Sequence, residues 1–208
     1  MSQRYHPLTV ALHWFTLAII IVVVTSVLSR ELSADSQLRQ VLLTVHRSLG
    51  TFVLLLTAAR LLVRLRVSAH HLSSQLPELI RRMSVAVHFV LYFFLLAMPI
   101  SGWLQASAAG KPVLLLGLIP LPMLIAKDRD LAEQIADIHE YMAWTLIALV
   151  AMHVAAALWH HFWRKDHVLH SMLPARLVQK IEQTDHGIAA SLDIAASLDI
   201  AASLDIDE

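Results

Sequence analysis

Four long apolar stretches, each about 20 residues or more in length, account for almost half of this 208-residue chain. About 20 apolar residues in an α-helix are enough to cross the hydrocarbon core of a bilayer, which is about 30 Å thick. Because that core offers no water to unpaired backbone groups, such segments fold as helices. The sequence therefore predicts an all-α, integral membrane four-helix bundle, with spans close to Leu8–Leu28, Val41–Leu65, Met83–Leu104 and Ile135–Trp159.

The composition agrees with a membrane protein and excludes several classes of function. Hydrophobic residues make up 57% of the chain and charged residues 15%, which is unusual for a soluble domain. The formal net charge is zero, so no basic surface indicates nucleic-acid binding. The absence of cysteine excludes disulfides, iron–sulfur clusters, thiolate-bound haem and covalently attached c-type haem. Any haem would be bound non-covalently by histidine or methionine.

The distribution of positive residues predicts the orientation in the membrane. Lysine and arginine flank the second connection and follow the fourth span, whereas the first connection balances its two arginines with Glu31 and Asp35. By the positive-inside rule, both termini are cytoplasmic and the first connection is periplasmic. The first span lacks a small-residue cleavage site, so we interpret it as a retained helix rather than a signal peptide. The positive residues in question are Arg60, Arg64, Arg66, Arg81, Arg82, Arg164, Lys165, Arg176 and Lys180.

The third connection, about residues 105–134, contains an apolar segment from Pro112 to Pro122. This segment is interrupted by three prolines and Gly117, which makes it too short and too broken to span a bilayer. We predict an interfacial flap on the outer face. The alternative is an ordinary interfacial loop that contributes to no site.

The chain divides into a membrane domain, residues 1–175, and a cytoplasmic tail, residues 176–208. The tail ends in three copies of Ile-Ala-Ala-Ser-Leu-Asp between Ile188 and Asp205. Its apolar residues follow at alternating intervals of four and two, which gives no continuous face to a helix or a strand. We predict that the tail is disordered or weakly helical and plays no part in the function of the membrane domain.

Five histidines lie within the predicted spans, and four of them, at positions 13, 46, 139 and 153, fall at matching depths. An imidazole in hydrocarbon is costly unless a partner binds it, so each is a candidate functional residue. His139 and His153 are fourteen residues apart on one helix, which places them near the same face and about 21 Å apart. In the predicted orientation His13 lies at the depth of His153, and His46 at the depth of His139. These depths predict two bis-histidine pairs, His13/His153 and His46/His139, which suit two haems in a bundle.

Other interpretations of these histidines are open. A lone histidine in a membrane helix is often bound by a nearby carbonyl or hydroxyl, and zinc prefers three or four ligands at one point. His88 lies in the inner half of the third span without a partner at its depth, and we interpret it as a core residue beside the inner site; a quinone or propionate contact is the alternative. A histidine cluster at the inner boundary is either interfacial or a source of protons for quinone chemistry. The cluster consists of His160, His161, His167 and His170.

Several short motifs together carry a resemblance to a known family. They are His13-Trp14, His46-Arg47-Ser48-x-Gly50, Gly110-Lys111-Pro112, His139, His153 and His160-His161-Phe162-x-x-Lys165-Asp166. Over about residues 3–175 the chain resembles the bacterial cytochrome b561 family. The repeat tail is the one departure from that family's pattern.

The resemblance implies a di-haem b-type cytochrome of the bacterial inner membrane. Such a protein belongs to respiratory electron transport and moves electrons between the quinone pool and a small-molecule or periplasmic redox partner. The resemblance makes His13, His46, His139 and His153 the axial ligands of haem iron, in agreement with their depths. Some relatives are similar to superoxide oxidases, which pass an electron from superoxide through both haems to ubiquinone. In such relatives the quinone site lies near the positions of His160 and His161.

Three functions compete at this point. The first is a free-standing, quinone-linked oxidoreductase, and the second is a haem-bearing membrane anchor subunit for a separate dehydrogenase or hydrogenase. The third, a metal transporter, is disfavoured because such proteins need acidic residues within the membrane. Four acidic residues, Glu31, Asp35, Glu133 and Asp137, fall at or beyond the outer ends of the spans.

Overall fold

The computed structural model describes residues 5–66, 78–164, 168–173 and 183–184. Four long helices dominate the described residues, and each is long and apolar enough to cross a bilayer. The predicted all-α, four-helix membrane bundle is therefore confirmed. Apart from residues 183–184, the predicted tail lies outside the described residues. The helices are α1 (Pro7–Leu32), α2 (Ser36–Arg66), α3 (Glu78–Ala108) and α4 (Arg129–Trp159).

The helices extend beyond the predicted spans because polar residues cap them outside the apolar stretches. The Asp35 carboxylate accepts a hydrogen bond from the Gln37 backbone N–H at 2.8 Å, and Asp128 accepts one from Leu131 N–H at 3.0 Å. Such caps satisfy backbone donors that the first helical turn leaves unpaired. Hydropathy detects only the part of each helix that lies in hydrocarbon, so it misses these polar turns.

The helices pack in sequence order, α1 on α2, α2 on α3 and α3 on α4. In the described part of the chain, the Cα atoms of α4 lie mostly more than 8 Å from those of α1 and α2. We call the end at which α1 begins and α2 ends the inner end, and the opposite end the outer end. The bundle therefore has tight contacts around most of its circumference and wider spacing where α4 faces α1 and α2.

An apolar layer occupies the middle of the bundle. Its buried members are Val53 on α2, Leu95 on α3 and Leu146 on α4. Leu146 follows His139 by seven residues and precedes His153 by seven, an interval that returns to nearly the same helix face. The layer thus separates an outer histidine level from an inner one.

The predicted outer flap is an ordered hairpin. Strands β1 (Leu114–Leu115) and β2 (Ile119–Pro120) pair antiparallel, and Gly117 between them has φ +72°, a conformation that favours glycine. The Trp103 indole N–H donates to the Pro122 carbonyl at 3.0 Å. The sequence did not predict these two strands, because prolines and an irregular apolar run give no regular β alternation.

At the inner end, α4 continues into one π-helical turn, His160–Arg164, and a short helix α5 (Val168–Ser171) follows. The indole rings of Trp159 and Trp163 stack with centroids 4.7 Å apart. The Trp14 indole N–H of α1 donates to the Met172 carbonyl at 2.7 Å. This bond attaches the segment after α4 to the beginning of α1, at the level where aromatic residues mark the membrane interface.

Candidate functional site

The structure brings together His46 and His139 near the outer end of the bundle. Each lies ten residues after the start of its helix, and both helices start at the outer end, so both residues lie about 15 Å along their helices. Their ring centroids are 6.2 Å apart and their planes are inclined at 80°. Two imidazoles from α2 and α4 therefore face each other across the wider gap in the bundle.

Hydrogen bonds fix which nitrogen of each ring carries the proton. His46 Nδ1 lies 3.0 Å from the Val23 carbonyl oxygen, which can only accept, so this nitrogen donates. The Ser101 hydroxyl donates to the Met98 carbonyl at 2.8 Å and therefore accepts from His139 Nδ1 at 2.9 Å. In neutral imidazole the second nitrogen then has a free lone pair. Both Nε2 atoms are thus prepared to bind a metal, and carbonyl or hydroxyl partners on Nδ1 are typical of metal-ligating histidines.

The separation of the two rings fits a metal ion between them. Metal–nitrogen bonds of about 2 Å, with each ring centroid about 1 Å behind its nitrogen, place the two centroids about 6 Å apart. The described residues contain no group of three or more His, Asp or Glu side chains able to converge on a metal, which is the arrangement that tetrahedral zinc requires. Two opposed imidazoles in an apolar bundle fit the axial positions of haem iron.

Gly102 of α3 supports the ring of His139. A Cβ atom placed on Gly102 would lie 3.2 Å from His139 Cε1 and 3.6 Å from Nδ1. The 3.2 Å contact is tighter than most Cβ contacts, so the ring would have to move by a few tenths of an ångström. The backbone of α3 therefore forms one wall of the outer site, close against the imidazole.

Replacement of Gly102 by alanine is expected to displace the His139 ring and to weaken binding at the outer site. Alanine stabilises an isolated helix by about 1 kcal/mol relative to glycine, so weaker binding would not reflect a weaker helix. The measurement is the haem content of the purified variant, with Ala97→Gly on the same helix as a control for helix propensity. An unchanged haem content in Gly102→Ala would remove this glycine from the site.

The inner level contains three histidines. His13 lies six residues after the start of α1, and His153 lies six residues before the end of α4. The ring packed against His153 is that of His88, at 5.3 Å between centroids. His88 Nδ1 donates to the Ser84 carbonyl at 2.6 Å, whereas His13 Nδ1 lies 2.8 Å from the Arg60 guanidinium. Thus His13 and His153 share a level, but in the described residues the ring contact of His153 is with His88.

The two candidate quinone residues lie on the π-helical turn at the inner end. The His161 ring packs edge-on against Phe162, with centroids 4.8 Å apart, and His160 is the first residue of the turn. Phe162 and Trp163 are exposed, which gives this end of α4 an apolar aromatic surface at the membrane interface. π-Helical turns are frequent at functional sites.

Three residues with a part in these sites were missed in the sequence. Ser101 and Gly102 form a pair of small residues in an apolar helix, which is a known signal for close helix approach. Arg60 is a cation within a span, and such residues are functional candidates by default. In the sequence, Arg60 indicated only the orientation of the spans.

The chain is similar to proteins of a known family. The family model described as prokaryotic cytochrome b561 matches residues 4–175. The "Probable superoxide oxidase CybB" of Yersinia pestis is 27% identical over 176 residues, which is 85% of this chain and 99% of that protein. "Cytochrome b561 homolog 1" of Escherichia coli K12 is 28% identical over 84% of this chain and 99% of its own length. "Cytochrome b561 homolog 2" of the same strain is 32% identical over 62% of this chain and 69% of its own length.

Proposed function

The chain belongs to the prokaryotic cytochrome b561 family, and on this premise we propose that it transfers electrons across the membrane through two bis-histidine b-type haems. Haem b is implied by the family. The observation that carries the proposal is the His46/His139 pair, with each Nδ1 donating and the rings 6.2 Å apart. We propose that these two residues bind an outer haem and that His13 and His153 bind an inner one.

Bound haem would supply one-electron redox chemistry, and the protein would position the haem and set the polarity around it. His46 with His139, and His13 with His153, would hold the haems through their imidazoles, for electron transfer rather than for oxygen binding. The apolar layer of Val53, Leu95 and Leu146 keeps water and ions out of the space between the two levels. We propose an inner-membrane location with both termini cytoplasmic, as the positive-inside rule predicts.

The proposed donor is superoxide on the outer side and the proposed acceptor is ubiquinone. A surface depression of about 240 Å³ at the outer end is lined by Arg30 and Arg39, and cationic clefts raise the local concentration of anions. Glu31 forms an ion pair with Arg30, so Arg39 provides the less compensated charge. Two superoxide anions would give up one electron each and leave as oxygen. One ubiquinone would take up both electrons and two protons and become ubiquinol.

The first experiment is a pyridine haemochrome assay with a reduced-minus-oxidised spectrum of the chain purified in mild detergent. Two b-type haems per polypeptide support the proposal, whereas none would overturn it. The same preparation distinguishes the free-standing enzyme from the alternative function, a haem-bearing anchor subunit of a separate dehydrogenase or hydrogenase. Ubiquinone reduction by superoxide with the isolated chain favours the free-standing enzyme, whereas a catalytic chain that co-purifies stably favours the anchor.

Replacement of His161 by leucine is expected to slow ubiquinone reduction severalfold while the haem spectrum stays unchanged. The reason is that His161 lies at the inner interface on the π-helical turn, where an imidazole can pass protons to a reduced quinone. The measurement is stopped-flow reoxidation of the reduced haems by ubiquinone. His6→Asn, at the same end of the bundle, is the control and is expected to react at the original rate. If His161→Leu and His6→Asn are reoxidised by ubiquinone at the same rate, His161 does not belong to the quinone site.

A further inference from the structure

Arg60 is a cation inside a membrane-spanning helix. It lies six residues before the end of α2, about 9 Å along the helix from that end. Its Nε atom is buried and has no hydrogen-bond partner among the described residues. Other atoms of the guanidinium have partners in the His13 ring and the Tyr92 side chain, but a buried N–H donor without an acceptor is costly. The unpaired Nε therefore indicates that this side chain can bind a further group.

The surroundings of Arg60 contain aromatic rings and cations. The guanidinium lies 5.5 Å from the centroid of the Tyr92 ring, and the Arg64 guanidinium lies 5.6 Å from the same ring. Glu78, the acidic residue described at the inner end of α3, is engaged by Arg81 and Arg82. The described ion pairs thus leave the charge of Arg60 without a carboxylate.

The hydrogen bond between Arg60 and His13 changes when His13 binds a metal. The guanidinium Nη2 donates to His13 Nδ1 at 2.8 Å, because arginine has no acceptor. A histidine that binds iron through Nε2 instead carries its proton on Nδ1 and donates it. Two donors cannot share this contact. Iron bound by His13 would therefore leave the Arg60 Nη2 group free beside the unpaired Nε.

The released guanidinium presents two neighbouring donors, and this fork matches the two oxygens of a carboxylate. We propose that Arg60 binds a propionate carboxylate of the inner haem and that haem binding exchanges the His13 contact for this one. The inference rests on the proposed binding of a haem by His13. A haem carboxylate is favoured over a phospholipid phosphate because Arg60 contacts His13 of α1 and Tyr92 of α3, which places the guanidinium between helices.

The test compares Arg60→Gln with Arg64→Gln in the purified haem protein. Arg64 lies over the same Tyr92 ring but is exposed, so solvent and salt screen its charge. Removal of the half-buried cation at Arg60 is expected to stabilise the oxidised haem. We expect the ratio of reduced to oxidised inner haem at a fixed potential to fall at least tenfold. For a one-electron couple this corresponds to a decrease of about 59 mV in the midpoint potential of the inner haem. Arg64→Gln is expected to change this ratio less than twofold.

A second readout addresses the carboxylate itself. Reduced-minus-oxidised infrared spectra are expected to show shifted carboxylate bands in Arg60→Gln and in Arg60→Lys, since lysine keeps the charge but not the fork. Loss of the inner haem from a folded Arg60→Gln protein also supports the inference. Two haems with unchanged potentials and unchanged carboxylate bands would overturn it, and so would loss of bound phospholipid without a haem effect. Absence of haem from the unmodified chain would instead overturn the proposed function.

Discussion

Replacement of His46 by alanine is expected to lower the haem content of the purified protein from the proposed two per chain to one. The outer iron would lose one of its two axial ligands, and the remaining His139 cannot hold a haem alone in a slot shaped for two imidazoles. His139→Ala is expected to have the same effect, because both residues serve one site. The measurement is a pyridine haemochrome assay combined with a redox titration. In the titration, the component that belongs to the outer haem is expected to disappear.

The double variant His46→Ala/His139→Ala makes this prediction sharper. The effects of substitutions at residues that act as a unit do not add. The double variant is therefore expected to lose no more haem than either single variant. His6→Ala, which changes a histidine before the first span, is the control and is expected to keep two haems. Retention of two haems in either single variant would disprove the outer pairing.

The four-helix architecture was predictable because the bilayer permits few alternatives. A chain with four apolar stretches must satisfy its backbone inside each stretch, and helices are the solution. The ends of the helices were less predictable. The sequence placed the start of the fourth span at Ile135, whereas α4 begins at Arg129, since the Asp128 cap extends the helix through a charged turn that hydropathy does not register.

The relative depth of the histidines was predictable from helix geometry alone. His139 and His153 are on one helix, and a rise of about 1.5 Å per residue fixes their separation. The partners of each ring nitrogen were not predictable. The bond of His46 to the Val23 carbonyl depends on how α1 and α2 are rotated against each other, and no periodicity in either helix encodes that rotation at atomic detail.

The lateral order of the helices also decided which side chains meet. The depth of His88 in its span gives it no partner. However, α3 packs directly on α4, which brings the His88 ring against the ring of His153. Likewise, the contact between Arg60 and His13 follows from the packing of α2 on α1. Depth is a one-dimensional property, whereas these contacts require the arrangement of helices in the membrane plane.

Replacement of His13 by alanine is expected to remove the inner haem, and His153→Ala is expected to do the same and to stop electron transfer to ubiquinone. His88→Ala is expected to keep both haems. The reason lies in the spacing: the His88 and His153 rings are 5.3 Å apart, which is too close for an iron that needs about 6 Å between the centroids. The Cα atoms of α1 and α4, in contrast, lie mostly more than 8 Å apart in the described residues, which agrees with a group held between His13 and His153.

These three variants form a matched set, because each removes one imidazole from the same level of the bundle. Haem content and the midpoint potential of the remaining haem are measured for each. A small shift of the potential in His88→Ala would fit a residue that packs beside the inner haem. Loss of a haem in His88→Ala, together with two haems in His13→Ala, would assign the second inner ligand to α3. In that case Arg60 would keep its hydrogen bond to His13, and the proposed exchange to a haem carboxylate would fail with it.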